Sequence, residues 1–116
     1  MITEFGKFIR KLRIDETVTL RKMADDLELS PAYLSSVETG KKKITDNYLD
    51  AVLSYFQLSG EAAIEAKHLA AISQKELTMS LEKANQKQKS SAVMFARRLN
   101  TLTDDEIEKL NLLLEK

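Results

Sequence analysis

An all-α fold is predicted for this chain of 116 residues, and two observations carry the prediction. Only three glycines and one proline interrupt the chain, which is too few turn residues for a many-stranded β domain. Apolar side chains also recur at the spacing i, i+3, i+4, i+7, which places them on one face of an α-helix. With 43% hydrophobic and 31% charged residues, the composition is that of a folded, soluble protein rather than a disordered one.

The first two predicted helices each follow a threonine that can act as an N-cap. Thr3 precedes the first helix, whose apolar stripe is formed by Phe5, Phe8, Ile9 and Leu12. Thr19 precedes the second helix, whose stripe is formed by Leu20, Met23, Ala24 and Leu27. The sequence therefore predicts two amphipathic helices with one apolar face each.

Proline and glycine mark the two ends of the third predicted helix, residues 31–38. Ser30 is a capping residue followed by Pro31 at the first helical position, and Gly40 suits the left-handed conformation found just after a helix. Only Glu28 and Leu29 separate this helix from the second one, so the two axes must meet at a steep angle. This is the geometry of a helix-turn-helix.

Two more helices are expected to close the core over the first three. The fourth, residues 46–58, follows the candidate cap Thr45 and has a broad apolar face, formed by Tyr48, Leu49, Val52, Leu53, Tyr55 and Phe56. The fifth, about 61–73, is rich in alanine, as expected of a helix that packs closely against its neighbours.

The last part of the chain has a different pattern. Residues 75–82 alternate apolar and polar side chains, which predicts a short strand that needs a partner from a second subunit, unless the segment is a helical turn. A basic stretch at 83–98 is followed by an acidic one, and we expect two C-terminal helices there. The T-x-x-E pattern at 103–106 is a capping box, which predicts the last helix over about 104–115.

The composition argues against an enzyme or a membrane protein. The chain has no cysteine and one histidine, His68, so thiolate metal sites are excluded and an imidazole cluster cannot form. We expect no catalytic residues, no metal and no cofactor. No apolar run approaches the ~20 residues that span a bilayer, and no signal-peptide core follows the N-terminus, so a cytoplasmic protein is expected.

The stretch from Thr19 to Lys43 reads TLRKMADDLELSPAYLSSVETGKKK and resembles the helix-turn-helix of the Xre family, the phage-repressor-like and Cro-like DNA-binding proteins. The matching features are IRKLR at the end of the first helix, Ala24 in the second, SPAYLS at the start of the third, and ETGKKK after it. The resemblance extends over about residues 5–59. It implies a five-helix, lambda-repressor-like domain that binds double-stranded DNA, in which Arg13 and Glu38 form a structural pair.

The resemblance makes the third helix the reader of DNA bases. Such a helix enters the major groove with its N-terminus first, while the helix before it lies over the phosphates. The side chains expected to face solvent or DNA are Ser30, Pro31, Ala32, Tyr33, Ser35 and Ser36, and the resemblance places Pro31, Ala32 and Ser36 at base edges. None of the six is an arginine, lysine, asparagine or glutamine, so direct readout should be modest and DNA shape should contribute.

Basic residues beside this helix are the candidates for phosphate binding. Lys41, Lys42 and Lys43 follow it directly, and Arg21 and Lys22 at the start of the second helix are the second candidates. Thr19, which precedes the second helix, is also a candidate DNA-binding residue. Two positions depart from the family pattern. Leu20 stands where many relatives have glutamine. Glu28 stands where many relatives have glycine, so either the turn contains a strained residue or a carboxylate lies near the DNA backbone.

The sequence favours two functions that differ in the use of the C-terminal segment. We expect a helix-turn-helix domain at 1–73 and a segment for dimerisation or partner binding at 74–116. The first function is a homodimeric repressor of a palindromic operator, because the segment has more apolar side chains than two helices can cover. The candidate dimer residues are Leu77, Met79, Leu81, Met94, Phe95, Ile107, Leu110 and Leu114. The alternative is an antitoxin whose segment binds a protein toxin while the helix-turn-helix regulates its own operon.

Overall fold

A computed structural model describes residues 1–115, which form seven α-helices and one short 3₁₀ turn and contain no strand. The chain divides into two compact units, Met1–Leu77 and the residues from Thr78 onward. The first unit contains α1 (Glu4–Asp15), α2 (Leu20–Leu27), α3 (Pro31–Glu38), α4 (Asp46–Tyr55) and α5 (Gly60–Ile72). The second contains α6 (Gln86–Arg98), the 3₁₀ turn (Leu99–Thr101) and α7 (Asp104–Leu114).

Hydroxyl side chains start the first four helices, as the sequence predicts. The side-chain oxygens of Thr3, Thr19, Ser30 and Thr45 each accept a hydrogen bond from the backbone N–H three residues later. Each of these bonds satisfies an N–H group that has no partner within the helix, and a cap of this kind contributes about 1 kcal/mol.

The first four helices also end in the same way, with one residue in the left-handed region. Only α3 uses glycine there, Gly40 at φ 76°, as predicted. The others use Thr17 at φ 56°, Glu28 at φ 58° and Gln57 at φ 52°. In this conformation an L side chain lies too close to its own backbone, which costs about 1–2 kcal/mol per residue.

The predicted extent of α4 is wrong at its C-terminal end. The helix ends at Tyr55, not at residue 58, because Gln57 turns left-handed and the Leu58 N–H donates to the Leu53 carbonyl over 2.8 Å. This bond closes the helix end and directs the chain toward α5. The predicted apolar face, which ends at Phe56, gave no sign of the turn that follows it.

One hydrophobic core lies among the five helices of the first unit. Its buried members are Phe5, Ile9, Met23, Ala24, Leu34, Val37, Ile44, Tyr48, Val52, Phe56 and Ala70. All five helices contribute to this core, so the unit has the interior that a domain needs.

The second unit has no such core. Its two helices start with capping boxes, one formed by Thr103 and Glu106, as predicted, and one formed by Asn85 and Gln88. No side chain described after Leu77 is buried, and Leu112, Leu113 and Leu114 are between 65% and 71% exposed. These helices are held by local bonds rather than by an interior.

Of the two alternatives expected for residues 75–82, neither the strand nor the helical turn is found between Glu76 and Leu81. The segment has no regular secondary structure between Glu76 and Leu81, and the side chains of Leu77 and Met79 are exposed. A strand needs ladder hydrogen bonds to a partner, and residues 1–115 offer none. An alternation of three apolar residues was too short to distinguish a strand from an extended connection.

Candidate nucleic-acid interface

The turn between α2 and α3 contains a strained residue at Glu28, which is one of the two alternatives that the sequence left open at this position. Glu28 is left-handed, its N–H donates to the Asp25 carbonyl over 3.1 Å, and the Leu29 N–H donates to the Ala24 carbonyl over 2.9 Å. These bonds close the end of α2 within two residues, and Ser30 then starts α3. The short turn sets the two helices at an angle and leaves the N-terminus of α3 at the surface.

A buried ion pair fixes the other end of α3. Arg13 and Glu38 are only 7% and 1% exposed, and the guanidinium donates to both carboxylate oxygens, with Nη2 2.9 Å from Oε1. Such a paired geometry satisfies both charges in a site from which water is excluded. Arg10 adds a weaker contact from the surface, with its Nε 3.7 Å from Glu38 Oε1. The pair predicted from the resemblance is confirmed as a structural link between α1 and α3.

The backbones of α1 and α3 also approach closely at this point. The Thr3 N–H and hydroxyl both donate to the Glu38 carbonyl, over 2.9 and 3.1 Å. A Cβ atom added at Gly6 would lie 2.2 Å from that carbonyl oxygen, a distance at which something must move. Gly6 is therefore required by the contact, and α1 holds the C-terminal end of α3 in a fixed position.

The N-terminal half of α3 presents small side chains to solvent. Ser30, Pro31, Ala32 and Ser35 are exposed, while Ser36 is half-buried. The Ser30 side-chain oxygen accepts the Tyr33 N–H over 3.0 Å, so this serine is used as a cap and retains its hydroxyl hydrogen as a donor.

Tyr33 differs from the other five predicted reader residues. Its ring is half-buried and packs edge-on against the buried ring of Tyr48, with centroids 5.9 Å apart. The expectation that the side chain is free to face solvent is therefore only partly correct, because part of the ring is used in packing. Burial, and then the negative charge of Glu38, raise the pKa of Tyr48, whose hydroxyl has no hydrogen-bond partner among residues 1–115.

The three lysines after α3 lie on a loop that is held at both ends. The N–H groups of Lys41 and Lys42 both donate to the Ser36 carbonyl, over 2.9 and 3.1 Å. Farther along, the Gln74 amide donates to the Ile44 carbonyl over 2.8 Å and accepts the Ile44 N–H over 3.4 Å. The side chains of Lys41, Lys42 and Lys43 are exposed, and none forms an ion pair within residues 1–115.

The charges of α2 run against its helix dipole. Arg21 and Lys22 lie in the first turn, and Asp25 and Asp26 lie in the last. The positive end of a helix dipole favours acidic side chains, so this order does not serve helix stability. It concentrates positive charge and free N–H groups at the N-terminus of α2, which is where an anion binds a helix.

A family model described as a helix-turn-helix domain matches residues 4–66. The chain belongs to the helix-turn-helix domain family. The match starts with the first residue of α1 and extends into α5, so it includes the α2–turn–α3 motif and the lysine loop. No curated protein and no solved structure matches the chain. A helix-turn-helix is a DNA-binding motif whose second helix lies in the major groove.

The other predicted site residues of this helix-turn-helix protein lie in or near the second unit. Five of the eight predicted dimer residues are exposed, namely Leu77, Met79, Met94, Phe95 and Leu114, and three are half-buried, namely Leu81, Ile107 and Leu110. His68 is exposed on α5. Within residues 1–115, no three acidic, histidine or cysteine side chains are placed to hold a metal ion. None of the helices in that range is long and apolar enough to cross a membrane.

Proposed function

We propose that this helix-turn-helix protein is a sequence-specific transcription regulator of the Xre type, with α3 as its recognition helix. One observation carries the proposal: the N-terminal half of α3 is exposed, and it is followed by lysines 41–43, which form no ion pair within residues 1–115. A helix that enters the major groove needs an accessible N-terminus for base edges and flanking cations for phosphates. The buried Arg13–Glu38 pair supports the proposal further, because it keeps α3 in one orientation.

Base recognition on this surface is expected to be modest. The hydroxyls of Ser35 and Ser36 can donate or accept, and the Ala32 methyl group can contact a thymine methyl group. Neither a serine hydroxyl nor an alanine methyl group provides the bidentate hydrogen bonds by which arginine reads guanine or glutamine reads adenine. We infer that sequence-dependent DNA shape supplies a substantial part of the specificity.

Phosphate contacts are assigned to two groups, one before and one after α3 along the chain. Lys41, Lys42 and Lys43 form the first group, and Arg21 and Lys22, together with the N-terminus of α2 after Thr19, form the second. The net charge of the whole chain is zero, but screening confines the field of an exposed charge to about 10 Å. A local basic patch is therefore sufficient to bind the DNA backbone.

We infer that the C-terminal segment, residues 74–116, joins two copies into a homodimer. The second unit has no buried side chain among its described residues, so its leucines need a cover. A two-fold dimer would present two copies of α3 to half-sites about 34 Å apart on a palindromic operator. A dimer bound across an operator acts as a repressor by blocking access to it.

An antitoxin is the second candidate, because the exposed side chains of Leu112, Leu113 and Leu114 support a protein partner as well as they support a second copy of the chain. Such a leucine surface on a short helix could equally bind a protein toxin, while the helix-turn-helix regulates the operon. Light scattering on the purified chain, alone and mixed with the product of an adjacent gene, separates the two functions. A dimer favours the repressor, whereas a monomer that binds the product of an adjacent gene favours the antitoxin.

Alanine variants of the three lysines test the assignment of phosphate contacts. Lysine acts on phosphate as a point charge, so each lysine that contacts DNA should contribute affinity for every sequence alike. Replacing a lysine that contacts phosphate should weaken binding and reduce the slope of log affinity against log salt concentration by about one unit. Lys67→Ala is the control, because Lys67 is exposed on α5, which packs on α1 and α4. Unchanged salt slopes for Lys41→Ala, Lys42→Ala and Lys43→Ala would place the phosphate contacts elsewhere.

A further inference from the structure

The side chains of Lys22, Asp26 and Tyr55 form a hydrogen-bonded chain between α2 and α4. The Lys22 ammonium donates to Asp26 Oδ1 over 2.9 Å, and the Tyr55 hydroxyl donates to Asp26 Oδ2 over 2.7 Å. Each carboxylate oxygen therefore has its own donor. The hydrogen bond from Tyr55, followed by that from Lys22, lowers the pKa of Asp26, so the carboxylate is charged at neutral pH.

Helix stability does not explain this arrangement. Lys22 precedes Asp26 by four residues, which is the less favourable order for such a pair and opposes the helix dipole at both ends. The Lys22 side chain is 65% exposed, and ion pairs at such sites contribute little to folding. Tyr55, which belongs to α4, donates a second hydrogen bond to the Asp26 carboxylate. This bond restricts the movement of the carboxylate more than the ion pair with Lys22 alone would.

Because of the position of Lys22, the hydrogen bonds among Lys22, Asp26 and Tyr55 affect DNA binding. Lys22 lies in the first turn of α2, the helix that crosses the DNA backbone in a helix-turn-helix complex. An ammonium has three N–H donors, so Lys22 can bind a phosphate while it still bonds Asp26, but the carboxylate already neutralises part of its charge. The charged carboxylate of Asp26 also repels the phosphate that Lys22 would bind. Arg21, which has no such partner within residues 1–115, is free of this competition.

We propose that Asp26, anchored by Tyr55, is a positioning residue that competes with DNA phosphates for Lys22 and so limits the affinity of the protein for DNA of any sequence. The inference rests on the proposed function, because it needs α2 to lie against the DNA backbone. Asp26, at the acidic end of α2, thereby weakens the contact that Lys22, at the basic end, makes with a DNA phosphate.

The test compares Asp26→Asn with Asp25→Asn in the full chain, on a mixed-sequence duplex of about 30 base pairs. The asparagine side chain of Asp26→Asn would keep an oxygen that accepts from Tyr55, and both variants remove one negative charge from the same turn of α2. We expect Asp26→Asn to bind DNA about two- to fivefold more tightly than the wild type. The slope of log affinity against log salt concentration should become steeper by up to about one unit. Asp25→Asn should give a smaller gain and an unchanged salt slope.

Two further variants connect the gain to Lys22 and Tyr55. In a Lys22→Ala background, Asp26→Asn should give no more gain than Asp25→Asn. Tyr55→Phe should give a smaller gain than Asp26→Asn, and the two changes combined should equal Asp26→Asn alone. Equal effects of Asp26→Asn and Asp25→Asn, or a gain that persists without Lys22, would overturn the inference while wild-type binding upholds the proposed function. If the wild-type chain binds neither this duplex nor any sequence selected from a randomised pool, the proposed function itself fails.

Discussion

Replacing Glu38 with glutamine would leave the Arg13 guanidinium buried without a counter-charge. The glutamine side chain has nearly the same size and keeps one acceptor oxygen, so the change removes the charge rather than the packing. Arg13 is 7% exposed and cannot reach water without moving the end of α1. Removing one partner of a buried pair typically costs about 3–5 kcal/mol, because the remaining charge is no longer compensated.

That loss is large compared with the stability of a small domain, which is about 5–15 kcal/mol. Urea unfolding of the full chain, followed by circular dichroism, measures it as a lower midpoint at an unchanged slope. Arg10→Ala is the control, because Arg10 is 52% exposed and contacts the same carboxylate only at 3.7 Å, so its removal should cost less than about 1 kcal/mol.

Two results would refute this account of the pair. The first is a loss below about 1 kcal/mol for Glu38→Gln, which would mean that Arg13 finds another partner or reaches solvent. The second is an equal loss for Arg10→Ala, which would mean that the surface contact carries the interaction. Replacing both charges, by Arg13→Met with Glu38→Leu, should recover most of the stability, because an apolar pair leaves no charge uncompensated.

Variants at three further positions and one truncation test other parts of the structure. Tyr48→Phe removes a buried hydroxyl without a partner, and urea unfolding should show unchanged or higher stability, by up to about 1 kcal/mol; a clear loss would indicate that the hydroxyl is bonded. Glu28→Gly relieves the left-handed backbone and should stabilise the chain by about 0.5–1 kcal/mol, whereas Glu28→Ala keeps the strain and should give no gain. Burial, and then the bond to Asp26, raise the pKa of Tyr55 from 10.0 to about 12, so the folded state holds the proton more tightly. Stability should therefore fall as pH rises between these values, and Tyr55→Phe should make the fall shallower when unfolding is measured across that range. A chain that ends at Leu77 keeps every side chain that is buried within residues 1–115 and should be a folded monomer with weaker operator binding. If it remained a dimer by light scattering, the interface would lie in the first five helices.

The starts of the helices could be predicted from the sequence because capping is local. A hydroxyl such as Thr3 or Ser30 needs only a backbone N–H three residues away, so its role depends on its immediate neighbours. Asn85 and Gln88 follow the same rule, and their capping box could have been found from the N-x-x-Q spacing. The buried partners Arg13 and Glu38 are 25 residues apart, and the resemblance to a family identified them where spacing alone would not.

Contacts between distant segments could not be predicted from the sequence. The bonds of Gln74 to Ile44, which hold the lysine loop, depend on where α5 ends in space. The packing of Tyr33 on Tyr48 depends on the rotation of α3 relative to α4. No sequence pattern around Tyr33 shows whether its ring is exposed to DNA or is half-buried against the core.

Selection of bound sequences from a pool of randomised duplexes tests most directly whether α3 reads DNA. The full chain should enrich a palindromic site whose half-sites are about 10 base pairs apart, as two copies of α3 on one face of the duplex require. Ser36→Ala should leave the melting temperature nearly unchanged but shift the enriched sequence, because Leu34 and Val37 hold the helix in place. A pool that stays unenriched, or a Ser36→Ala variant and an Ala32→Gly variant that both enrich the wild-type sequence, would contradict the assignment of α3 as the recognition helix.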